Sequence, residues 1–123
     1  MFENGLDRLN PREREAILEF VHLLEDRFGD RISSVALFGS KARGESTPDS
    51  DLDLLVVVDS DDWRVHKQVR YLAADVCLKY EVELSPRVWS LSHQQEMDAI
   101  NTLLHQNIQR EGIHLLKSSR LPG

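Results

Sequence analysis

The sequence feature that most constrains the fold is the run LDLLVVV at residues 52–58. Its later half is continuously apolar, whereas a strand with one face in water alternates apolar and polar residues. This segment is therefore predicted to be a strand that is buried on both faces. Such a strand requires a sheet with further elements packed against each side of it.

Three other segments have the character of strands. Ile32–Phe38 (ISSVALF) is the first, Tyr80–Ser90 (YEVELSPRVWS) follows the apolar run, and Ile113–Leu116 is a candidate for a last short strand. Pro86 interrupts the third segment, and a proline there favours an edge strand or a bulge because it cannot donate to the ladder.

Apolar residues at helical spacing predict one helix before the first strand, one between the second and third strands, and one between the third and last strands. Asparagine or aspartate caps the first turn, proline suits the first helical position, and glycine ends a helix. Together with the strands, they predict an α/β (α+β) fold, a small mixed β-sheet flanked by helices. The predicted boundary residues are Asn10 and Pro11, Gly29, Asp61 or Asp62, a capping box of Ser92 with Gln95, and Gly112.

The bulk composition narrows the class of protein. The 123 residues, 41% of them hydrophobic, predict a single domain over residues 1–123, with residues 118–123 as a frayed tail. A net charge of −6 disfavours nucleic acid as the main partner, because binders of phosphate backbones usually carry a basic surface. The chain contains no apolar run of membrane-spanning length, no signal-peptide core and one cysteine, which together predict a cytoplasmic protein without a membrane partner.

Two carboxylates lie at the start of the buried strand. Because side chains alternate along a strand, Asp51 and Asp53 point to the same face, about 7 Å apart along the backbone. Two like charges so close resist ionisation unless positive charge lies between them, and hard cations such as Mg²⁺ prefer carboxylate ligands. The alternative interpretation is a solvated loop end, in which Asp51 caps a turn.

A Gly-Ser turn precedes the carboxylates by ten residues, 41–50. Gly39 allows a close backbone approach to a ligand, and the hydroxyl and backbone N–H of Ser40 are suited to binding phosphate. Lys41 and Arg43 add positive charge in the following loop. A phosphate-binding turn followed by metal-type ligands on a strand favours a site for a metal-bound nucleotide over a solvated turn.

The segment GSKARGESTPDSDLDLLV resembles the signature of the DNA polymerase β-type nucleotidyltransferase superfamily. It is similar in particular to the one-domain minimal nucleotidyltransferases of bacteria and archaea, and the likeness extends to the ELSPRVWSLS and NIQREGIHLL segments. The resemblance implies a polymerase β-like fold and transfer of a nucleoside monophosphate from a nucleoside triphosphate to a hydroxyl group. ATP is the nucleotide that this family habitually uses.

The resemblance also implies roles for the motif residues. Asp51 and Asp53 are expected to hold two Mg²⁺ ions. The triphosphate is expected against the turn and its basic loop, which comprise Gly39, Ser40, Lys41 and Arg43.

In this family, a third carboxylate on a later strand binds a metal and is the candidate base for the acceptor's proton. Here Glu81 and Glu83 are the candidates, and Glu83 is favoured because it lies deeper in the predicted strand between two apolar residues. The alternative is that both are the solvated face of an edge strand, which would leave the enzyme weakened or inert. Arg87 in the same segment could lie near the active-site face, but its spacing is not informative.

The same resemblance implies which partners this chain is expected to have. Minimal nucleotidyltransferases often act beside a small helical HEPN protein, as an antitoxin that attaches AMP to a tyrosine of the toxin. The chain is accordingly predicted to work with a HEPN-type partner or as a homodimer. Two alternatives remain: a non-catalytic antitoxin that neutralises its partner by contact, and a transferase that acts on a small hydroxylated molecule such as an aminoglycoside.

Overall fold

The computed structural model describes residues 9–39, 51–100, 106 and 112–117. None of the helices in these residues is long and apolar enough to cross a membrane. The elements, in chain order, are α1 (Pro11–Phe28), a 3₁₀ turn (Gly29–Arg31), β1 (Ile32–Phe38), β2 (Leu52–Val58), α2 (Trp63–Tyr80), β3 (Leu84–Ser90), α3 (Leu91–Ile100) and β4 (Ile113–Lys117).

The strands form one mixed sheet in the order β3-β2-β1-β4. Strand β1 is antiparallel to both β2 and β4, whereas β2 and β3 run parallel. The predicted fold class is therefore confirmed. Pro86 lies on the outermost strand β3, as its missing N–H requires.

Helices α1 and α2 cover one face of the sheet. Helix α1 begins with a complete capping box, because the Asn10 side chain accepts from the Glu13 N–H at 2.8 Å while the Glu13 carboxylate accepts from the Asn10 N–H at 3.1 Å. The apolar stripe that follows fits against alternate residues of β2, so this interface holds most of the core. Its fully buried side chains include Ile17, Phe20, Leu24, Leu54, Val56 and Val69.

A second, smaller apolar cluster lies on the opposite face of the sheet. It joins Leu55 and Val57 of β2 to Trp89 of β3, and Met97 of α3 packs against it. Every residue of β2 except Asp53 is buried, because both faces of this strand are covered. The two-sided burial that the LDLLVVV run predicts is confirmed.

The boundary between α2 and β3 differs from the sequence prediction. Residues 80–83 are not strand, because α2 continues to Tyr80 and β3 begins only at Leu84. The Tyr80 hydroxyl donates to the Glu19 carboxylate of α1 at 2.8 Å, which ties the last turn of α2 to the neighbouring helix. Glu81 is the C-cap of α2 with a φ of 56°, so it does not share a strand face with Glu83 as predicted.

The start of α3 also differs. The predicted capping residue was Ser92, but the hydroxyl that accepts from the His93 N–H, at 3.1 Å, belongs to Ser90. The two serine hydroxyls lie 3.1 Å apart, and Ser92 donates instead to Asp61 at 3.1 Å. Strand β3 therefore passes directly into α3, with its own last residue as the cap.

Candidate active site

The site lies where β1 ends and β2 begins. These strands are antiparallel neighbours with Phe38 opposite Asp53, so the residue after Phe38 is brought beside the Asp53 carboxylate. That residue is Gly39, with a φ of +79°. A Cβ built on Gly39 would lie 2.5 Å from Asp53 Oδ2, which leaves room for glycine alone unless the carboxylate moves. Two parts of the motif that are separated in sequence thus meet in space.

Strand β3 completes the other side of the site. Asp53 lies opposite Ser85 in the parallel register, and the Leu52 N–H donates to the Glu83 carbonyl at 2.8 Å. This bond holds the Glu83 backbone beside the first residues of β2, next to both aspartates. The side chains of Asp51 and Glu83 are exposed, and that of Asp53 is half-buried.

The three carboxylates do not form a finished metal cage. Within residues 9–39, 51–100, 106 and 112–117, no group of three His, Cys, Asp or Glu side chains is arranged to hold a metal ion. Two carboxylates are nevertheless a common protein contribution to a Mg²⁺ site, because nucleotide phosphates and water supply the other oxygen ligands. Ser40, Lys41 and Arg43, the predicted phosphate-binding residues, lie outside the described residues.

The electrostatics of the site favour a cation. Burial raises the pKa of Asp53, and the negative charge of Asp51 raises it further, while the Arg87 guanidinium partly opposes both effects. The negative charge of the two aspartates is therefore only partly neutralised by the positive charge of Arg87. A divalent cation between the two aspartates would compensate that charge, so the residues present fit a metal site.

The raised pKa of Asp53 gives a pH dependence with a definite sign. Ionisation of this carboxyl lowers the free energy of unfolding of the metal-free protein. The loss is absent below the ordinary pKa of 3.8 and complete above the raised pKa of the folded state. Without metal, Asp53→Asn should therefore unfold at higher urea concentration than the wild-type protein at neutral pH. The difference should shrink as the pH falls below the ordinary carboxyl range.

The control for this series of urea unfolding measurements is Asp62→Asn. The pKa of Asp62 is lowered, first by its hydrogen bond from the Arg64 N–H at the start of α2, so loss of its charge should have the opposite sign at neutral pH. A stability difference for Asp53→Asn that stays constant from acid to neutral pH contradicts the assignment.

Arg87 is the residue of this region whose position the sequence left open. The register pairs it with Leu55, two residues along from the Asp53–Ser85 pair, so it lies on the same sheet face as Asp53. Because side chains alternate between the two faces of a strand, the sequence alone indicates that Ser85 and Arg87 share a face. Which face of the sheet this is becomes clear only when the neighbouring strand and its register are known.

The chain is similar to known nucleotidyltransferases. A family model described as "Nucleotidyltransferase domain" matches residues 17–115. A protein of Methanocaldococcus jannaschii named "Putative protein adenylyltransferase MJ0604" is 38% identical over 100 residues, which cover 81% of this chain and 94% of that relative.

Two solved structures resemble the fold. A crystal structure of a mutant toxin–antitoxin pair, MntA-HpeT, has a TM-score of 0.55 and 20% identity over 85% of this chain and 74% of its own. A crystal structure of a toxin–antitoxin with AMP-PNP has a TM-score of 0.56 and 17% identity over 86% of this chain and 74% of its own. At these identities the likeness establishes the fold.

Proposed function

The chain belongs to the nucleotidyltransferase domain family, and from that premise we propose that it transfers AMP from ATP to a tyrosine hydroxyl of a HEPN-type toxin. Nucleotidyl transfer is the activity of the family itself. The finer assignment is supported by a relative named as a protein adenylyltransferase and by a fold shared with toxin–antitoxin structures, one of which contains AMP-PNP. The observation that carries the proposal is the close approach of Gly39 to the Asp53 carboxylate, beside Asp51.

Each residue has a chemical role in this proposal. Asp51 and Asp53 hold the Mg²⁺ ions, two in the complete site, and Gly39 leaves space for the triphosphate where any side chain would displace Asp53. Ser40, Lys41 and Arg43 complete the phosphate-binding loop. The bound metal supplies Lewis-acid charge that stabilises the phosphate oxygens as negative charge develops on them.

The transfer itself forms one bond and breaks another. The tyrosine oxygen attacks the α-phosphorus, the bond to the pyrophosphate leaving group breaks, and the hydroxyl proton passes to a base. Glu83 is the proposed third carboxylate and base, because its backbone is fixed beside Leu52 at the open end of the site. Its exposed side chain is free to meet an acceptor that arrives from outside the fold.

One observation supports a second candidate, a non-catalytic antitoxin that neutralises its partner by contact. The described carboxylates do not assemble into a group of three. If Glu83 has no part in catalysis, the fold could bind a toxin without modifying it. The two candidates differ in whether a covalent bond forms.

The deciding experiment is intact-mass measurement of the partner protein. The chain is incubated with ATP, Mg²⁺ and a candidate HEPN-type partner, and the expected result is a partner heavier by one AMP. Replacement of the partner's acceptor tyrosine by phenylalanine is expected to remove the adduct. A partner that binds the chain and is neutralised, yet gains no nucleotide, contradicts the proposal and supports the contact antitoxin.

A further inference from the structure

Arg87 lies on the same face of the sheet as Asp53. Parallel strands lie about 4.8 Å apart, and two residues span about 7 Å along a strand. Because Asp53 pairs with Ser85 and Leu55 with Arg87, the arginine lies one strand across and two residues along from Asp53. An extended arginine side chain is long enough to bridge that separation.

The two neighbours of Arg87 on this face of the sheet differ in character. In one direction along β3 lies Trp89, which is buried against Leu55 and Val57. In the other direction lies the exposed Ser85, paired with the half-buried Asp53. Among the described residues, the polar side of Arg87 is therefore the side of Asp53.

Among the residues that the structure describes, the exposed side chain of Arg87 forms no hydrogen bond or ion pair. It is also the single cationic residue in β1, β2 and β3. Its charge nevertheless acts on Asp53, which places the two groups within electrostatic reach of each other.

A triphosphate approaching this site meets a chain of net charge −6 and two aspartates. Metal ions offset part of that repulsion, but a fixed cation on the same face adds attraction that does not depend on metal. Guanidinium groups suit this purpose because their planar fork donates two parallel hydrogen bonds to phosphate oxygens.

We infer that Arg87 is a nucleotide-binding residue of this site, whose guanidinium donates hydrogen bonds to the phosphate oxygens of ATP. The inference rests on the proposed function, because it requires a triphosphate at the Asp53 end of β2. It adds a phosphate ligand from β3 to those of the Gly39–Ser40 turn. The edge strand thereby contributes to substrate binding through a cation as well as through the candidate base Glu83.

The test measures binding of Mg²⁺ and α,β-methylene-ATP, whose α–β bridge cannot be cleaved, by titration calorimetry without an acceptor. Arg87→Ala should raise the dissociation constant about 10- to 100-fold, as expected for loss of charge-assisted hydrogen bonds. Arg87→Lys keeps the charge but loses the fork, so its affinity should lie between those of Arg87→Ala and wild type. The melting temperature should fall only slightly, because Arg87 is exposed and its removal takes away only its charge interaction with Asp53.

Arg70→Ala is the matched control. Arg70 is also exposed, but it lies on α2, which covers the opposite face of the sheet, so its removal should leave nucleotide affinity unchanged. Equal affinity of Arg87→Ala and wild type, within about two-fold, overturns the inference while leaving the proposed function in place. Failure of the wild-type protein to bind the nucleotide at all overturns the proposed function and the inference with it.

Discussion

Replacement of Asp51 and Asp53 together by asparagine should reduce AMP transfer by at least about 10³-fold, as expected when the charges that stabilise a phosphoryl transition state are lost. The fold should survive. Burial and the charge of Asp51 both disfavour ionisation of Asp53, so its neutralisation relieves a cost in the folded state. We therefore expect a melting temperature equal to or above that of the wild-type protein, measured without metal, together with near-complete loss of the AMP adduct by mass spectrometry.

The matched control is Asp75→Asn. Asp75 is an exposed carboxylate of α2, on the side of the sheet away from the site, so its replacement should change neither transfer nor metal binding. A double variant that still modifies the partner at more than about one tenth of the wild-type rate contradicts the metal-ligand assignment. A double variant that is inactive and also unfolded gives the aspartates a structural role, which the exposure of Asp51 and the raised pKa of Asp53 argue against.

The second large effect is expected for Gly39→Ala. The new Cβ would lie 2.5 Å from Asp53 Oδ2, so the carboxylate must rotate or the turn must move. Alanine at a φ of +79° adds a backbone cost of about 1–2 kcal/mol. Displacement of a catalytic group by about 1 Å can lower a rate about 10²-fold, and we expect a loss of that order in AMP transfer.

Gly29→Ala separates the two parts of this effect. Gly29 also has a positive φ, of 54°, but a Cβ there would meet nothing within 4 Å. Gly29→Ala should therefore lose unfolding free energy in urea denaturation through backbone strain alone and keep its transfer rate. If both glycine variants transfer AMP at equal rates, the contact between residue 39 and Asp53 has no importance for the reaction.

Local chemistry was sufficient to predict the elements around the site. The unbroken apolar half of LDLLVVV predicted a strand covered on both sides, and both the main core and the Trp89 cluster pack against it. Asn10 followed by proline predicted the start of α1, where the capping box is complete. Such signals depend on neighbours in sequence, so they can be read without knowledge of the tertiary structure.

Features that depend on tertiary contacts could not be predicted in the same way. The extension of α2 to Tyr80 depends on a hydrogen bond to Glu19, which is 61 residues away in the chain. The placement of Arg87 on the face of Asp53 depends on the register between β2 and β3, which a one-residue slip would reverse. The roles of Ser40, Lys41 and Arg43 remain predictions from the motif.

A crystal structure of the protein with Mg²⁺ and α,β-methylene-ATP tests directly whether Asp51 and Asp53 bind metal together. We expect metal density in contact with the carboxylates of both Asp51 and Asp53, and phosphates seated against the backbone at Gly39. A nucleotide bound elsewhere on the protein, or an empty site at saturating nucleotide with the two carboxylates turned apart, would contradict it.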